Sequence, residues 1–342
     1  MAITLQDISA KARVSMKTVS RVVNNEKNVS AETRQRVLKV IEEHGYVPHV
    51  QAQRLASGRT RSVSLHYPLT TPGLISNQIE MNFITGIATG AGEEDYYFGL
   101  ITGQLTPTSL LKLCRGAYAD GLIMMQIALQ DWRVDLLREN NFPFVMIGRC
   151  EDNEGLSFID LDFENAVMEV FAHLVSLGHQ HIGFLTYPEK WFQEGLGPAI
   201  RTRQGFQTAV DKFNLTPIYR ENELAPESVY AATKDLLREK PQLTALVVAH
   251  NTIAAGAIRA LQDMDRKVPD DCSIVGIAFG SEAELTTPPL TAIDWPGHEV
   301  GQQAAKILIR QLNSEAPVPE QILVPPKLQV RRSTSRTKQT DG

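Results

Sequence analysis

Short β-rich runs alternate with helical stretches from residue 62 to residue 279, which confines this part of the chain to parallel sheets. SVSLHYP, YFGLITG, GLIMM and FVMIG come first, with helical patterns over 77–93 and 131–140 among them. After SFIDLD the alternation restarts: a helix at 163–177, then HIGFL, 200–213, TPIYR, 227–239, ALVVAH, 252–264 and SIVGIAF. Strands joined by helices lie parallel and are covered on both faces. These strands are too many for one comfortable sheet, and SFIDLD marks a crossing between two. The expectation is α/β: two doubly wound parallel subdomains, with LTAIDWP and QILVPP as the other crossings. Expected boundaries are about 62–160 plus 294–321 for the first subdomain and about 162–292 plus 322–332 for the second. The polar end, residues 333–342, reads as a disordered tail.

The first 61 residues follow another pattern. Thr4 can cap a helix, with Asp7 placed as in a capping box. Leu5, Ile8 and Ala12 repeat at helical spacing, and Ser15 can cap a second helix. There Val19, Val22 and Val23 form the apolar side, while Lys17, Ser20, Arg21 and Asn24 share the opposite face. Ser30 caps a third helix, Val37, Val40 and Ile41 bury it, and Gly45 ends it. Two short helices, a tight turn and a third helix make an all-α helix-turn-helix domain over 1–48. Its second helix would enter the major groove. Lys17 and Arg21 can donate to guanine, Ser20 or Thr18 can reach phosphate or base, and Met16 can meet a thymine methyl. Thr4 and Ser15, at the helix starts, complete the DNA-facing set. A generic amphipathic helix is the plainer alternative. Charge bears on the choice: residues 1–61 hold eleven Lys/Arg against five Asp/Glu, and the remainder 23 against 34. A small basic unit on a large acidic one suits a polyanion partner, although chance variation gives similar numbers.

TLQDISAKARVSMKTVSRVVNN, followed by VSAETRQRVLKVIEEHGYVP, resembles the DNA-binding headpiece of the lactose/galactose repressor family of bacterial transcription regulators, at nearly every position from Thr4 to Pro48. The resemblance implies a recognition helix over Met16–Asn24, a specificity pair at Met16 and Lys17, and a base or phosphate contact from Arg21. It also implies a hinge helix over 49–61, paired in a homodimer and lying in the minor groove. Leu55 would be its wedge, with Ala52 beside it and Ala56 on the same ridge. Composition alone allows a flexible linker there. The family usually has Asn where this chain has His49.

Ligands bind parallel sheets at the carboxyl ends of the strands, so two facing sheets form a cleft. Strand-end candidates are Tyr67, Leu69, Gln126, Arg149, Trp191, Arg201, Arg203, Asn251 and Trp295. Aromatic rings stack on sugars, while amides and arginines bind hydroxyls or acidic groups. Trp295 alternatively plugs the joint between subdomains, and Arg149 alternatively caps a loop. DGLIMM, FPFVMIGR, LVSLGHQHIGFL, ALVVAHNTIAAGAIRAL, KVPDDCSIVGIAF and TPPLTAIDWP resemble the effector domain of the same family, itself like periplasmic sugar-binding proteins. The likeness therefore extends to about residue 332 and implies a small-molecule effector, a sugar or sugar derivative. Three departures stand out. Asn251-Thr252 replaces the family's Asn-Asp, Ala278-Phe279-Gly280 replaces an acidic position, and the arginine before Gly205-Phe206 is out of register. With those carboxylates missing and Arg149, Arg201 and Arg203 expected to cluster at the cleft, an acidic effector such as a sugar phosphate or sugar acid is expected. Between Gly103 and Asp120 the chain is shorter than is usual, so a truncated helix is expected there.

Other chemistries find little support. No G-x-G-x-x-G follows a strand and no P-loop is present. No nucleophile–base arrangement stands out, so neither a catalytic residue nor a cofactor is expected. Cys114, Cys150 and Cys272 lie far apart and read as buried thiols. His173, His179 and His181 read as a structural joint rather than a metal site. Asp160 and Asp162 alternate along a strand, which is simpler than an acid pair. No apolar run nears the ~18 residues needed to span a bilayer, and MAITLQDISAKA lacks a signal core. The expectation is a cytoplasmic, non-enzymatic transcription regulator, in the family's commoner role a repressor. It would bind a pseudo-palindromic operator in double-stranded DNA as a homodimer and answer to an effector. A solute-binding protein and an α/β enzyme are the rivals.

Overall fold

The computed structural model describes residues 3–23, 28–46, 59–68, 78–116 and 118–338. They fall into two compact units, Met1–Arg61 and Ser62–Gly342.

The first unit holds α1 (Leu5–Ala12), α2 (Met16–Val23) and α3 (Ala31–His44). The capping box at Thr4 is reciprocal. The Asp7 amide donates to Thr4 Oγ1 at 3.3 Å, and the Thr4 amide to Asp7 Oδ2 at 2.9 Å. The Thr4 hydroxyl, which donates to Asp7 Oδ2 at 2.7 Å, and then the Thr4 amide hold the Asp7 carboxyl below its ordinary range. Arg13 adopts the left-handed conformation, which lets the Val14 amide reach the Ser9 carbonyl and turns the chain toward Ser15. Ser15 Oγ then accepts from the Thr18 amide at 3.1 Å and starts α2. Ser30 and a left-handed Gly45 bound α3 in the same manner. Ile8, Ala12, Val19, Val22 and Val37 form the core, with Val40 and Ile41 half-buried against it. Tyr46 is also buried in it. Helical periodicity does not reveal Tyr46, because it lies beyond the Gly45 turn.

The second unit contains two six-stranded sheets. The first runs β11-β5-β4-β3-β1-β2, from β1 (Ser62–His66), β2 (Tyr97–Ile101), β3 (Gly121–Met124), β4 (Phe144–Ile147), β5 (Phe158–Leu161) and β11 (Gln321–Val324). The second runs β12-β10-β9-β8-β6-β7, from β6 (Ile182–Thr186), β7 (Ile218–Glu221), β8 (Ala245–Val248), β9 (Ser273–Phe279), β10 (Thr291–Asp294) and β12 (Leu328–Gln329). β10 and β12 pair antiparallel and the other pairings are parallel. Alternate residues serve opposite faces. In the first sheet Val63, Leu65, Ile123, Val145 and Ile159 meet α4 (Gln78–Glu93) and α12 (Gly297–Asn313). Leu122, Met124, Phe144, Met146 and Phe158 meet α5 (Pro107–Arg115) and α6 (Trp132–Glu139). The second sheet is likewise sandwiched. Phe184, Val247 and Val275 face α7 (Phe163–Ser176) and α9 (Gly197–Phe213). Leu246, Val248 and Ile274 face α10 (Pro226–Glu239) and α11 (Asn251–Asp263).

Several boundaries differ from the sequence reading. QILV pairs with β5, so the chain returns to the second sheet after Val324 and not at 322. α9 begins at Gly197, and a short α8 (Glu189–Gln193) precedes it unannounced. α12 was not assigned, although Val300, Ala304, Ile307 and Leu308 are spaced for a buried helical face and all are buried. α5 is only nine residues, as the short stretch there implied. Residues 333–338 are ordered, not a disordered tail. Ser333 Oγ accepts from the Thr291 amide at 2.8 Å and donates to the Ile274 carbonyl at 2.5 Å. The Thr337 amide donates to the Leu177 carbonyl. His173 and His179 take part in this seam, against Thr334 Oγ1 and the Ser335 carbonyl. A polar segment is ordered here because it satisfies strand-edge groups that would otherwise be buried alone.

Glycines allow α4 and α12 to approach backbone to backbone. A Cβ at Gly86 would strike the His298 carbonyl, and one at Gly301 the Phe83 carbonyl. Gly92, on the same α4, faces open space. Gly86→Ala and Gly301→Ala are each expected to cost about 1–3 kcal/mol, read from denaturant midpoints. Gly92→Ala is expected to be neutral or to stabilise by up to about 1 kcal/mol.

Candidate functional site

In the first unit, burial of Val19 and Val22 fixes the orientation of α2. Met16 and Lys17 are exposed at its start, and Thr18, Ser20 and Arg21 are half-exposed. The hydroxyls of Thr4 and Ser15 are engaged in caps, where they accept from the Asp7 and Thr18 amides. Asn24, His49, Ala52, Leu55 and Ala56, and with them most of the expected hinge, lie outside the described residues.

In the second unit, strand ends of the two sheets enclose a cavity of about 140 Å³. Of the expected residues, Tyr67, Gln126, Trp191, Asn251 and Trp295 line it. Leu69 lies outside the described residues. Tyr187 and Trp191 stack with centroids 4.9 Å apart, and Trp295 meets Phe83 edge-on at 5.6 Å. Trp295 is therefore both a wall of the cavity and a plug of the joint, the two alternatives the sequence left open. Gln126 and Ala278 both line the cavity with φ near +55°: 53° and 56°. A left-handed non-glycine conformation costs on the order of 1 kcal/mol, so the surrounding packing must hold both residues in place. Arg133 secures the first. It is buried, pairs with Asp131, and donates to the carbonyls of Met125 and Gln126.

The three arginines do not line the cavity, which corrects the sequence reading. Arg149 Nε lies 3.3 Å from Asp160 Oδ2, and Arg149 Nη2 lies 3.2 Å from Glu164. Arg201 is buried, reaches the same two carboxylates at 3.9 and 3.8 Å, and donates to the Cys150 carbonyl. Arg203 sits away from the cleft, over the Phe192 ring and bonded to Tyr219 and Glu221. Their charge is thus spent on carboxylates of the protein. The lining instead carries Glu80, Asp160 and Glu282, with no Lys or Arg among its described residues. An acidic effector is therefore the wrong complement for this cavity.

Four polar lining groups, Glu80, Asp160, His250 and Glu282, were not among the strand-end candidates. Glu80 accepts a short hydrogen bond from the Tyr67 hydroxyl. Burial pushes its carboxyl up to about 7, against the opposing effect of that bond. Its signal in the sequence is a carboxylate on the flank of the apolar stripe formed by Ile79, Phe83 and Ile87. Asp160 is also raised to about 7 by burial, against the pull of Arg201 and then Arg149. Its signal is a charge inside the apolar strand FIDL; its neighbour Asp162 merely caps α7. His250 accepts from the Thr252 amide through Nδ1, and desolvation lowers its imidazole to about 4. It is therefore neutral, with its proton on Nε2.

The Glu80 shift has a stability consequence. The folded chain keeps this proton to about pH 7, whereas the unfolded chain releases it near 4.5. Glu80 thus contributes stability below pH 4.5 that is lost as pH rises through 7. In thermal unfolding at pH 5 and pH 8, Glu80→Gln is expected to show the smaller loss between the two and to exceed the parent chain at pH 8.

Comparison with known proteins agrees with this anatomy. The model of bacterial regulatory proteins of the lacI family matches residues 4–49, and a periplasmic binding protein-like domain matches 171–334. The transcriptional regulator MalR of Streptomyces coelicolor is 30% identical over 98% of this chain and 97% of its own. Catabolite control protein A of Priestia megaterium is 29% identical over 98% of this chain and 100% of its own. These relatives are regulators, not enzymes. Among solved structures, the lac repressor dimer bound to operator and the anti-inducer ONPF superposes with a TM-score of 0.81 at 25% identity, covering 98% of this chain and 100% of that one. The CelR–cellobiose complex gives 0.70 at 26% identity, covering 97% and 99%. Capped headpiece, two-sheet cleft and full-length likeness together make this chain a member of the LacI family of bacterial regulatory proteins.

Proposed function

We propose that this chain is a sequence-specific transcription regulator, a repressor in its default role, that binds operator DNA as a homodimer and is gated by a saccharide in its cleft. The observation that carries the reading is the union of two sites in one chain. One is the face of α2 formed by exposed Met16 and Lys17 and half-exposed Arg21, the other an aromatic-walled, carboxylate-lined cavity between two sheets. Lys17 and Arg21 read guanine edges or phosphate, and Met16 contributes apolar contact. The contacts assigned to Asn24, His49, Ala52, Leu55 and Ala56 rest on sequence resemblance. Tyr67, Gln126, Trp191, Asn251 and Trp295 hold the effector, joined by Glu80, Asp160, His250 and Glu282. CelR is known with cellobiose, and a lining of aromatic rings and carboxylates suits hydroxyl-rich ligands in general. Effector binding changes the angle between the subdomains and so biases the hinge segment and DNA affinity. The chain performs no catalysis and acts in the cytoplasm. No described helix is long and apolar enough to cross a membrane.

Selection of bound duplexes from a random pool tests this directly. A pseudo-palindromic site is expected, with affinity falling steeply as salt rises. Lys17→Ala and Arg21→Ala are each expected to weaken binding about 10- to 100-fold, on the order of 1–3 kcal/mol, without moving the thermal midpoint. Enrichment of no site, with or without a panel of saccharides, would reject the regulator in favour of a solute-binding protein or an enzyme.

A further inference from the structure

The carboxyl groups of the cleft share a condition. Glu80 Oε2, Asp160 Oδ2 and Glu282 Oε2 are each shut off from water and accept no hydrogen bond. They are the carboxylate oxygens in that state among the described residues, and their residues line one cavity. Asp160 is 2% exposed; its Oδ2 lies 3.3 Å from Arg149 and 3.9 Å from Arg201 and its Oδ1 accepts from the Leu161 amide, so its charge is answered within the protein and the demand falls on Glu80 and Glu282. Glu80 has its other oxygen occupied by Tyr67. Glu282 has no cation within ion-pair reach among the described residues. Residues 69–77, LTTPGLISN, contain no Lys or Arg either.

Buried acceptors left unmet are costly, and more so when charged. Such a cavity asks its ligand for donors, and the uncompensated acid groups ask for positive charge. Indole faces beside them, at Trp191 and Trp295, favour a cation further. A sugar phosphate or sugar acid meets repulsion here, and a neutral sugar supplies donors but leaves the charge unanswered.

We propose that the effector is an amino sugar, a saccharide whose protonated primary amine is held between Glu282 and Glu80. This rests on the saccharide reading of the cleft given above and narrows it. The ammonium supplies three donors directed at carboxylates, and the ring packs against the indoles. Arg149 and Arg201 stay bound to Asp160 and Glu164, so ligand binding needs no arginine to leave its partner.

Calorimetric titration of the full chain, at a pH where the amine is protonated, tests the proposal. Glucosamine, galactosamine and mannosamine are each compared with the neutral parent hexose and the N-acetyl derivative. At least one amine is expected to bind about tenfold or more tightly than both counterparts. Glu282→Gln and Glu80→Gln are each expected to erase that preference while the ligand-free proteins still unfold cooperatively. Parent or N-acetyl sugars binding as tightly as the amines would overturn the proposal and leave a neutral-saccharide regulator. An amine preference untouched in both variants would overturn the placement. Binding of no saccharide at all would overturn both the amino-sugar proposal and the saccharide reading of the cleft.

Discussion

Asp160 lies in β5, the strand that leads into the first crossing between the sheets, and its carboxylate joins the two lobes chemically where the backbone joins them covalently. Arg149 reaches it from its own lobe, Arg201 reaches it from α9 of the other, and Glu164 on α7 completes the set. Two guanidiniums and two carboxylates cancel, which is the condition under which charges of this kind tolerate burial. The cost of leaving any one unpaired is large, so the four groups hold their places and fix the floor of the cleft. Asp160 Oδ2 itself lies against Arg149 and Arg201, so this carboxylate serves the joint between the lobes.

Much of this was legible beforehand because it rests on local rules. Thr4, Ser15, Ser30 and Gly45 are read by the hydrogen bonds their side chains or backbone can make within a turn. Strands such as GLIM and ALVV are read by continuous apolar character. What stayed hidden depends on partners distant in sequence. Arg201 looks like a ligand-binding arginine until Asp160, a strand and two helices away, is seen to claim it. Ser333 looks like part of a solvated tail until the edge of β9 is placed beside it. Tyr67 and Gln126 were found because they follow strand ends, which are cavity walls by construction. Glu80 was missed because it enters the cleft from a helix rather than from a strand end.

The loss of the family's usual acidic positions near Asn251 and Ala278 did not leave the cleft without carboxylates. Glu282, in the turn after β9, and Glu80, from the opposite lobe, supply acid from other parts of the wall. Counting conserved-looking motif positions therefore misjudges the sign of the cavity, whereas tracing each charge to its partner gives it. Left-handed Ala278 belongs to the same rearrangement, since the turn it makes leads into the short 3-10 segment Ser281–Glu284 that carries Glu282.

Each sheet is finished by chain from the far end of the sequence: β11 closes the edge of the first, and β12 with residues 333–338 seals the second. Timing during synthesis follows from this. A ribosome releases the headpiece complete and able to fold while most of the protein is still unmade. Neither lobe can be closed until residues 321–338 have emerged, so both present an unpaired strand edge throughout elongation. The nascent chain thus carries a finished DNA reader ahead of any finished sensor, and control by ligand begins only once residues 321–338 have emerged.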